Sequence, residues 1–271
     1  DLEERGESFY TSLLPQIVRD LEKKGLLVES EGAKCCFVEG FTSKEGTPLP
    51  LILQKTDGGY TYDTTDMAAL FHRVQSERAD RIVYVVDAGQ STHFQMIFQA
   101  AEKAGFVDRA KVRLDHVPFG LVLGADGKKF RTRSGETEKL MDLLEAAVEK
   151  ALSIVKERNP SMSMEEAQKL AKTLGIGAVK YADLSCNRVH DYTFSYDRML
   201  RFEGNTAAFL LYSYVRIQSI QRKSRWNVEE LLKEKEPILL QHPSEEALAL
   251  AVLRFEETVA TVAEELLPNR L

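Results

Sequence analysis

Leu13, Leu14, Ile17, Val18 and Leu21 recur at the spacing of one helical face, so residues 9–25 are predicted to form a helix that Gly25 stops. Residues 35–40 (CCFVEG) read as a short strand, 42–49 (TSKEGTPL) as a polar turn, and Leu51 to Gln54 as a strand followed by the turn residues KTDGG. Tyr60 to Asp63 alternates like a strand, and Thr64 or Thr65 is placed to cap a helix running to about Glu77. The β-branched run 81–86 (RIVYVV) predicts a strand, Gln90 to Ala104 a helix ended by Gly105, and 111–117 and 119–123 further strands. Strands alternating with helices imply a parallel, mostly buried sheet covered by helices. Ligands of such sheets bind beyond the carboxyl ends of the strands, so the loops after residues 63, 86 and 123 should gather on one edge.

Beyond residue 136 the period changes. Leu140, Leu143, Leu144, Ala147, Val148, Ala151 and Val155 mark a helix that Pro160 breaks. Ser163 and Glu166 form a capping box for the next helix, with Gly175 as its stop, and Ser244 offers a cap to a helix reaching about Leu266. Strand signal is nearly absent from 140 to 271. The expected fold is α/β in the first half and all-α in the second.

Composition changes this picture little. A 271-residue chain with 44% hydrophobic and 29% charged residues can bury a large core plus a smaller second one. A net charge of -6 argues against a dedicated nucleic-acid module and confines any such contact to local basic patches, at 128–133 and from Arg216 to Arg225. No apolar run is long enough to cross a bilayer, and DLEERGES is not a signal peptide. The first residue is Asp1 rather than Met, as in a piece of something longer. Cys35, Cys36 and Cys186 fit neither a zinc site nor a disulfide framework and read as reduced, partly buried thiols. The five histidines contain no HxxxH pair, and no structural metal is expected.

Three segments carry candidate chemistry. The apolar stretch 117–124 (VPFGLVLG) opens into GKKFRTRSG, where Lys128, Lys129, Arg131 and Arg133 crowd between two glycines. A strand opening into a cationic loop can surround a polyphosphate, although a solvated surface explains such a cluster as well. Tyr62 and Asp66 straddle a strand-to-helix turn. Asp66 is either a first-turn carboxylate favoured by the helix dipole or, with the phenol as a wall, a pocket for a guanidinium or ammonium. The stretch 87–95 (DAGQSTHFQ) leaves a strand through a small-residue loop. Gln90 there can donate and accept, while His93 is either structural or a contact to a phosphate or hydroxyl. No nucleophilic triad or carboxylate pair assembles, so the chemistry is expected to be positioning and electrostatic stabilisation of a phosphate-bearing ligand.

With these residues in view, the chain resembles the class I arginyl-tRNA synthetases. The resemblance is carried by GESFY (6–10), LILQKTDGGYTYDTTDMAAL (51–70), RIVYVVDAGQSTHFQMIF (81–98), HVPFGLVLGADGKKFRTRSGET (116–137), YADLSCNRVHDYTFSYDRML (181–200) and GNTAAFLLYSYVRIQSI (204–220). It implies the C-terminal half of a Rossmann-type catalytic domain at 1–140 and a helical, tRNA stem-contacting region at 141–205. The start of a helical anticodon-binding domain would follow at 206–271. It implies ATP-dependent ligation of L-arginine to tRNA(Arg) through an arginyl-adenylate, in the cytoplasm. Mg2+ would serve as counter-ion to ATP, and a multi-synthetase complex would be joined if the source is eukaryotic.

By the same resemblance Tyr62, Asp66 and Gln90 match arginine-binding positions, with Glu7 as a further carboxylate. Lys129, Arg131, Thr132 and Arg133 match the catalytic KMSKS loop, with Thr132 in place of its second lysine. His93, His116, Gly120, Val122 and Lys128 fall on the ATP side. Tyr212, Tyr214 and Arg216 would contact unstacked tRNA bases, the alternative for the two tyrosines being core packing. The HIGH signature is absent, so the chain reads as an internal fragment expected to have little or no activity by itself. Two other classes stand beside this one: a nucleotidyltransferase with a small-molecule acceptor, which would not need the helical half, and a non-catalytic tRNA-binding or scaffold fragment.

Overall fold

The computed structural model describes residues 3–124, 127–128, 139–224, 227–234 and 237–271. Contacts divide the chain into two compact units, Asp1–Phe119 and Gly120–Leu271.

The first unit opens with a 3-10 segment, Glu7–Leu13, that runs into helix α1, Leu14–Lys23. Pro15 in the first turn costs no hydrogen bond there, and Leu14, Ile17, Val18 and Leu21 bury one face. Strands β1 (Val28–Ser30), β2 (Ala33–Thr42) and β3 (Pro48–Gln54) form an antiparallel sheet, not the parallel one expected. The tight turn between β1 and β2 is the reason. Glu31 and Gly32 both have positive φ, 54° and 77°, the geometry that lets two residues reverse a strand.

Helix α2 spans Tyr62–Gln75, strand β4 Arg81–Asp87, helix α3 Ser91–Lys103 and strand β5 Arg113–Phe119. β4 and β5 pair in parallel, Tyr84 facing His116 across the ladder. The expected burial of this sheet holds on one face only: Ile82 and Tyr84 are buried, whereas Val83 and Val85 are exposed. The core gathers Ile17, Leu21, Leu53, Met67, Leu70 and Ile97, all fully buried, from α1, β3, α2 and α3. Burying a side chain of this size contributes roughly 1.5–3 kcal/mol.

Tyr60–Asp63 is not a strand. Tyr60 makes a single bridge to Gln54, and the helix has begun by Tyr62. Neither Thr64 nor Thr65 is its cap: Thr61 holds that position, and its hydroxyl donates to the Ile52 carbonyl while that of Thr64 donates to the Leu53 carbonyl. These threonines tie the start of α2 to β3 instead of closing the helix end.

The second unit begins with strand β6, Val122–Leu123, paired in parallel with β7, Tyr192–Thr193. The α-helices among its described residues are α4 (Leu140–Arg158), α5 (Met164–Ser185), α6 (Tyr196–Met199), α7 (Ala207–Ser224), α8 (Val228–Glu234), α9 (Pro243–Leu253) and α10 (Phe255–Glu265). Leu143, Ala147, Ala151 and Val155 of α4 pack on Ala167, Ala171, Leu174 and Ala178 of α5. Ser163 caps α5, accepting from the Glu166 amide at 3.3 Å while its hydroxyl donates to the Glu166 carboxylate at 2.7 Å. At α9 the cap is His242 rather than Ser244. The Ser244 amide donates to its Nδ1 at 3.2 Å, and the Glu245 carboxylate accepts from the His242 amide at 3.1 Å. Arg254 then separates α9 from α10, so the long helix expected there is two.

Gly175 does not stop α5, which continues ten residues past it. A Cβ on Gly175 would lie 2.8 Å from the carbonyl carbon and oxygen of Ala147, so the glycine is what lets α4 and α5 approach. Gly175→Ala therefore sets two effects against each other. Alanine favours a helix interior by about 1 kcal/mol, but forcing two backbones apart costs about 1–3 kcal/mol. The second wins because the clash is with main chain that cannot rotate away. A urea titration should show a net loss of up to about 2 kcal/mol.

Candidate amino-acid and nucleotide site

Asp63 and Asp66 sit three residues apart on α2 and so share a face. Asp63 is buried, and its Oδ2 accepts from the Ile52 amide of β3 at 2.6 Å. His93, in the first turn of α3, lies against both carboxylates: Nε2 is 2.7 Å from Asp66 Oδ2 and Nδ1 is 3.3 Å from Asp63 Oδ1. The cluster thus joins β3, α2 and α3. Two nitrogens facing two carboxylates can both donate only as an imidazolium. Burial by itself would lower the His93 pKa, but the bonds to Asp63 and Asp66 and their charges outweigh it and raise the pKa to about 9.

Tyr62 packs its ring edge-on to His93, with centroids 5.1 Å apart, and is otherwise two-thirds exposed. The Asp63 charge, then burial, then the Asp66 charge push its phenol pKa up, so it remains a donor. Rings continue inward from there: Phe94 follows His93 in the chain, and His116 of β5 stacks on Phe94 with centroids 5.8 Å apart and planes 19° from parallel. Asp87 ends β4 by accepting from the Gly89 amide at 2.8 Å, which bends the chain into α3. Gln90 stands exposed at the α3 N-cap, one turn before His93. The turn at the start of α2 and the β4–α3 loop therefore do meet on one edge, while residue 123 belongs to the second unit.

Tyr62, Asp66 and His93 are brought together. Asp66 is not a cap: it lies past the first turn, and its carboxylate is engaged by His93. His93 faces carboxylates with both ring nitrogens, which leaves it no donor for a phosphate. Asp63 was not among the candidates read from the sequence. The signal available was its i, i+3 spacing to Asp66. Glu7 is exposed, with no hydrogen bond or ion pair to the cluster among the described residues. Its neighbour Phe9 packs on His72, near the opposite end of α2. Ten helical residues separate Tyr62 from His72, about 15 Å.

On the second unit, Gly120 donates to the Arg188 carbonyl at 2.7 Å, and a Cβ there would sit 2.6 Å from the His190 carbonyl. Its small size is explained by that close approach. Val122 is half-buried against the α4–α5 core. Lys128 is exposed and its carbonyl accepts from the Gly124 amide at 2.8 Å, closing a turn in which Gly127 has φ of 70°. Lys129, Arg131, Thr132 and Arg133 lie outside the described residues. On α7, Tyr212 and Tyr214 are exposed, and the Arg216 guanidinium lies 5.8 Å over the Tyr212 ring. Cys35 and Cys36 are buried, and the described cysteines are free. Among the described residues no group of three His, Cys, Asp or Glu side chains is placed to hold a metal ion, and no helix is long and apolar enough to cross a membrane.

An α/β unit with a carboxylate–histidine cluster at its edge, followed in the chain by helices, fits a class I tRNA synthetase. The chain belongs to that family: residues 1–196 match the family described as tRNA synthetases class I (R), catalytic domain, and residues 210–271 match the DALR anticodon binding domain. It is 64% identical over 268 residues to the arginine–tRNA ligase of Protochlamydia amoebophila, covering 99% of this chain and 46% of that protein. It is 55% identical over 274 residues to the arginine–tRNA ligase of a Nostoc species, covering 100% and 46%. The crystal structure of arginyl-tRNA synthetase from Plasmodium falciparum superposes with a TM-score of 0.83 at 35% identity, over 100% of this chain and 44% of that one. The chain thus spans about half the length of the relatives it matches.

Proposed function

We propose that this chain carries the arginine pocket of an enzyme that ligates L-arginine to tRNA(Arg) with ATP, through an arginyl-adenylate. The observation that carries this reading is the Asp66 carboxylate, held beside the Tyr62 phenol at the ligand edge of the β4–β5 sheet. Its Oδ2 is occupied by His93, and the remaining oxygen suits a guanidinium N–H. A planar guanidinium fits such a site better than the point charge of lysine. Gln90, one turn from His93, would hold the polar end of the amino acid.

The residues proposed for ATP are His116 and, for the phosphates, Lys128 with the loop residues Lys129, Arg131, Thr132 and Arg133. Charge developing at the α-phosphorus would be stabilised by those cations. Thr132 can donate only a hydroxyl hydrogen bond, so the neighbouring basic residues supply the charge. Mg2+ would accompany ATP as counter-ion. Tyr212, Tyr214 and Arg216, exposed on α7, suit stacking on unpaired tRNA bases, where each base is worth about 1–3 kcal/mol. Residues 141–205 would contact the tRNA stem. The compartment proposed for this activity is the cytoplasm.

A non-catalytic tRNA-binding role is the alternative, and it would leave the Asp66 pocket without a ligand. ATP–pyrophosphate exchange with arginine and tRNA separates the two. The full-length protein is expected to exchange only when arginine is present, and exchange that ignores arginine would remove the reading. The 271-residue chain by itself is expected to stay at background, and robust turnover by it would overturn that expectation.

A further inference from the structure

We propose that His93 is a positioning residue for amino-acid recognition, which orients the Asp66 carboxylate and the Tyr62 ring rather than touching the nucleotide. This rests on the arginine-pocket reading above. Asp66 is about one-third exposed, so its carboxylate would otherwise sample several rotamers. The 2.7 Å contact from His93 Nε2 fixes Oδ2 and so restrains the rotation of the carboxylate. His93 is itself fixed from the other side by Asp63, which the Ile52 amide anchors to β3. The same imidazole supports Tyr62 edge-on at 5.1 Å, so one side chain sets both of the proposed arginine contacts.

Charge makes the second argument. Two carboxylates and one imidazolium leave the cluster with one net negative charge, matched to one guanidinium. The sequence offers His93 equally as a ribose or phosphate contact. In the structure both ring nitrogens are spent on carboxylates.

The test is arginine-dependent ATP–pyrophosphate exchange by the full-length protein with tRNA, with KM measured separately for arginine and for ATP. His93→Ala should raise the arginine KM about tenfold or more, the scale of one lost charge-assisted hydrogen bond. The ATP KM should stay within about twofold. His93→Gln, which can return an N–H to Asp66, should recover most of the loss, and it stands in if the alanine variant fails to fold. In an Asp66→Asn background, His93→Ala should add nothing, because a residue acting through Asp66 cannot act without it. A rise in the ATP KM with an unchanged arginine KM would overturn the inference, as would losses that multiply in the double variant. Loss of arginine dependence in Asp66→Asn alone, with none in either His93 variant, would overturn the role of His93 and leave the pocket standing.

Discussion

Asp63→Ala will destabilise the chain by about 3–5 kcal/mol, the cost of removing one partner from a buried ion pair. Asp63 is 5% exposed, and its two oxygens hold the Ile52 amide and the His93 imidazole. Alanine leaves a partly buried amide without this acceptor and a partly buried imidazolium with one carboxylate in place of two. Asp63→Asn keeps an acceptor for Ile52 and should cost less. The pH dependence follows from the same contacts. The folded pKa of His93, about 9, lies above its ordinary 6.5. A raised pKa contributes stability that is fully present below pH 6.5 and is lost as pH rises through 9, at most roughly 3 kcal/mol. Urea denaturation across that window should show the decline in the parent chain and a shallower one in Asp63→Asn. A parent chain equally stable at pH 6 and pH 9.5, with Asp63→Ala unaffected, would mean that the cluster contributes nothing to the fold.

Asp66→Ala will abolish arginine recognition while leaving the fold largely intact. Asp66 is less buried than Asp63 and anchors no backbone amide, so its removal should cost the fold much less. The loss for the ligand is larger, because a guanidinium bound without its carboxylate is a desolvated, unpaired charge, about 3–5 kcal/mol or a factor of several hundred and upward. Asp66→Asn should behave similarly, since an amide does not restore the charge. Calorimetric titration of arginine into the full-length protein checks this. tRNA binding, proposed above for residues of α7, should be unchanged in both variants.

The helical half was the more legible. Leu143, Ala147, Ala151 and Val155 announce the buried stripe of α4 because one period serves the whole helix. What failed there were positions whose role depends on a partner distant in sequence. Gly175 reads as a helix stop, and only the Ala147 carbonyl, 2.8 Å from where a Cβ would sit, reveals it as a crossing point. His242 took the cap expected of Ser244 because a histidine ring nitrogen can accept the same amide.

In the first half, Tyr60 to Asp63 is too short for a period of two to be distinguished from the first turn of a helix, and the hydroxyl of Thr61 settled the matter by bonding to β3. The antiparallel sheet was signalled by Glu31-Gly32, a turn of two residues that no parallel connection could use. At the cluster, the nearness of Tyr62 and Asp66 on one edge was recognisable from local sequence. The pairing of His93 with Asp63 and Asp66 was not, since nearly thirty residues intervene and nothing local distinguishes a clamped histidine from one facing a phosphate.

The account depends on Asp66 being the group that receives the cation. A crystal structure of the full-length protein with L-arginine tests this most directly. It should show the guanidinium within about 3 Å of the Asp66 carboxylate, with His93 still bridging Asp63 and Asp66 and the Tyr62 ring alongside. Arginine bound elsewhere, with the Asp66 carboxylate contacting only His93, would contradict it.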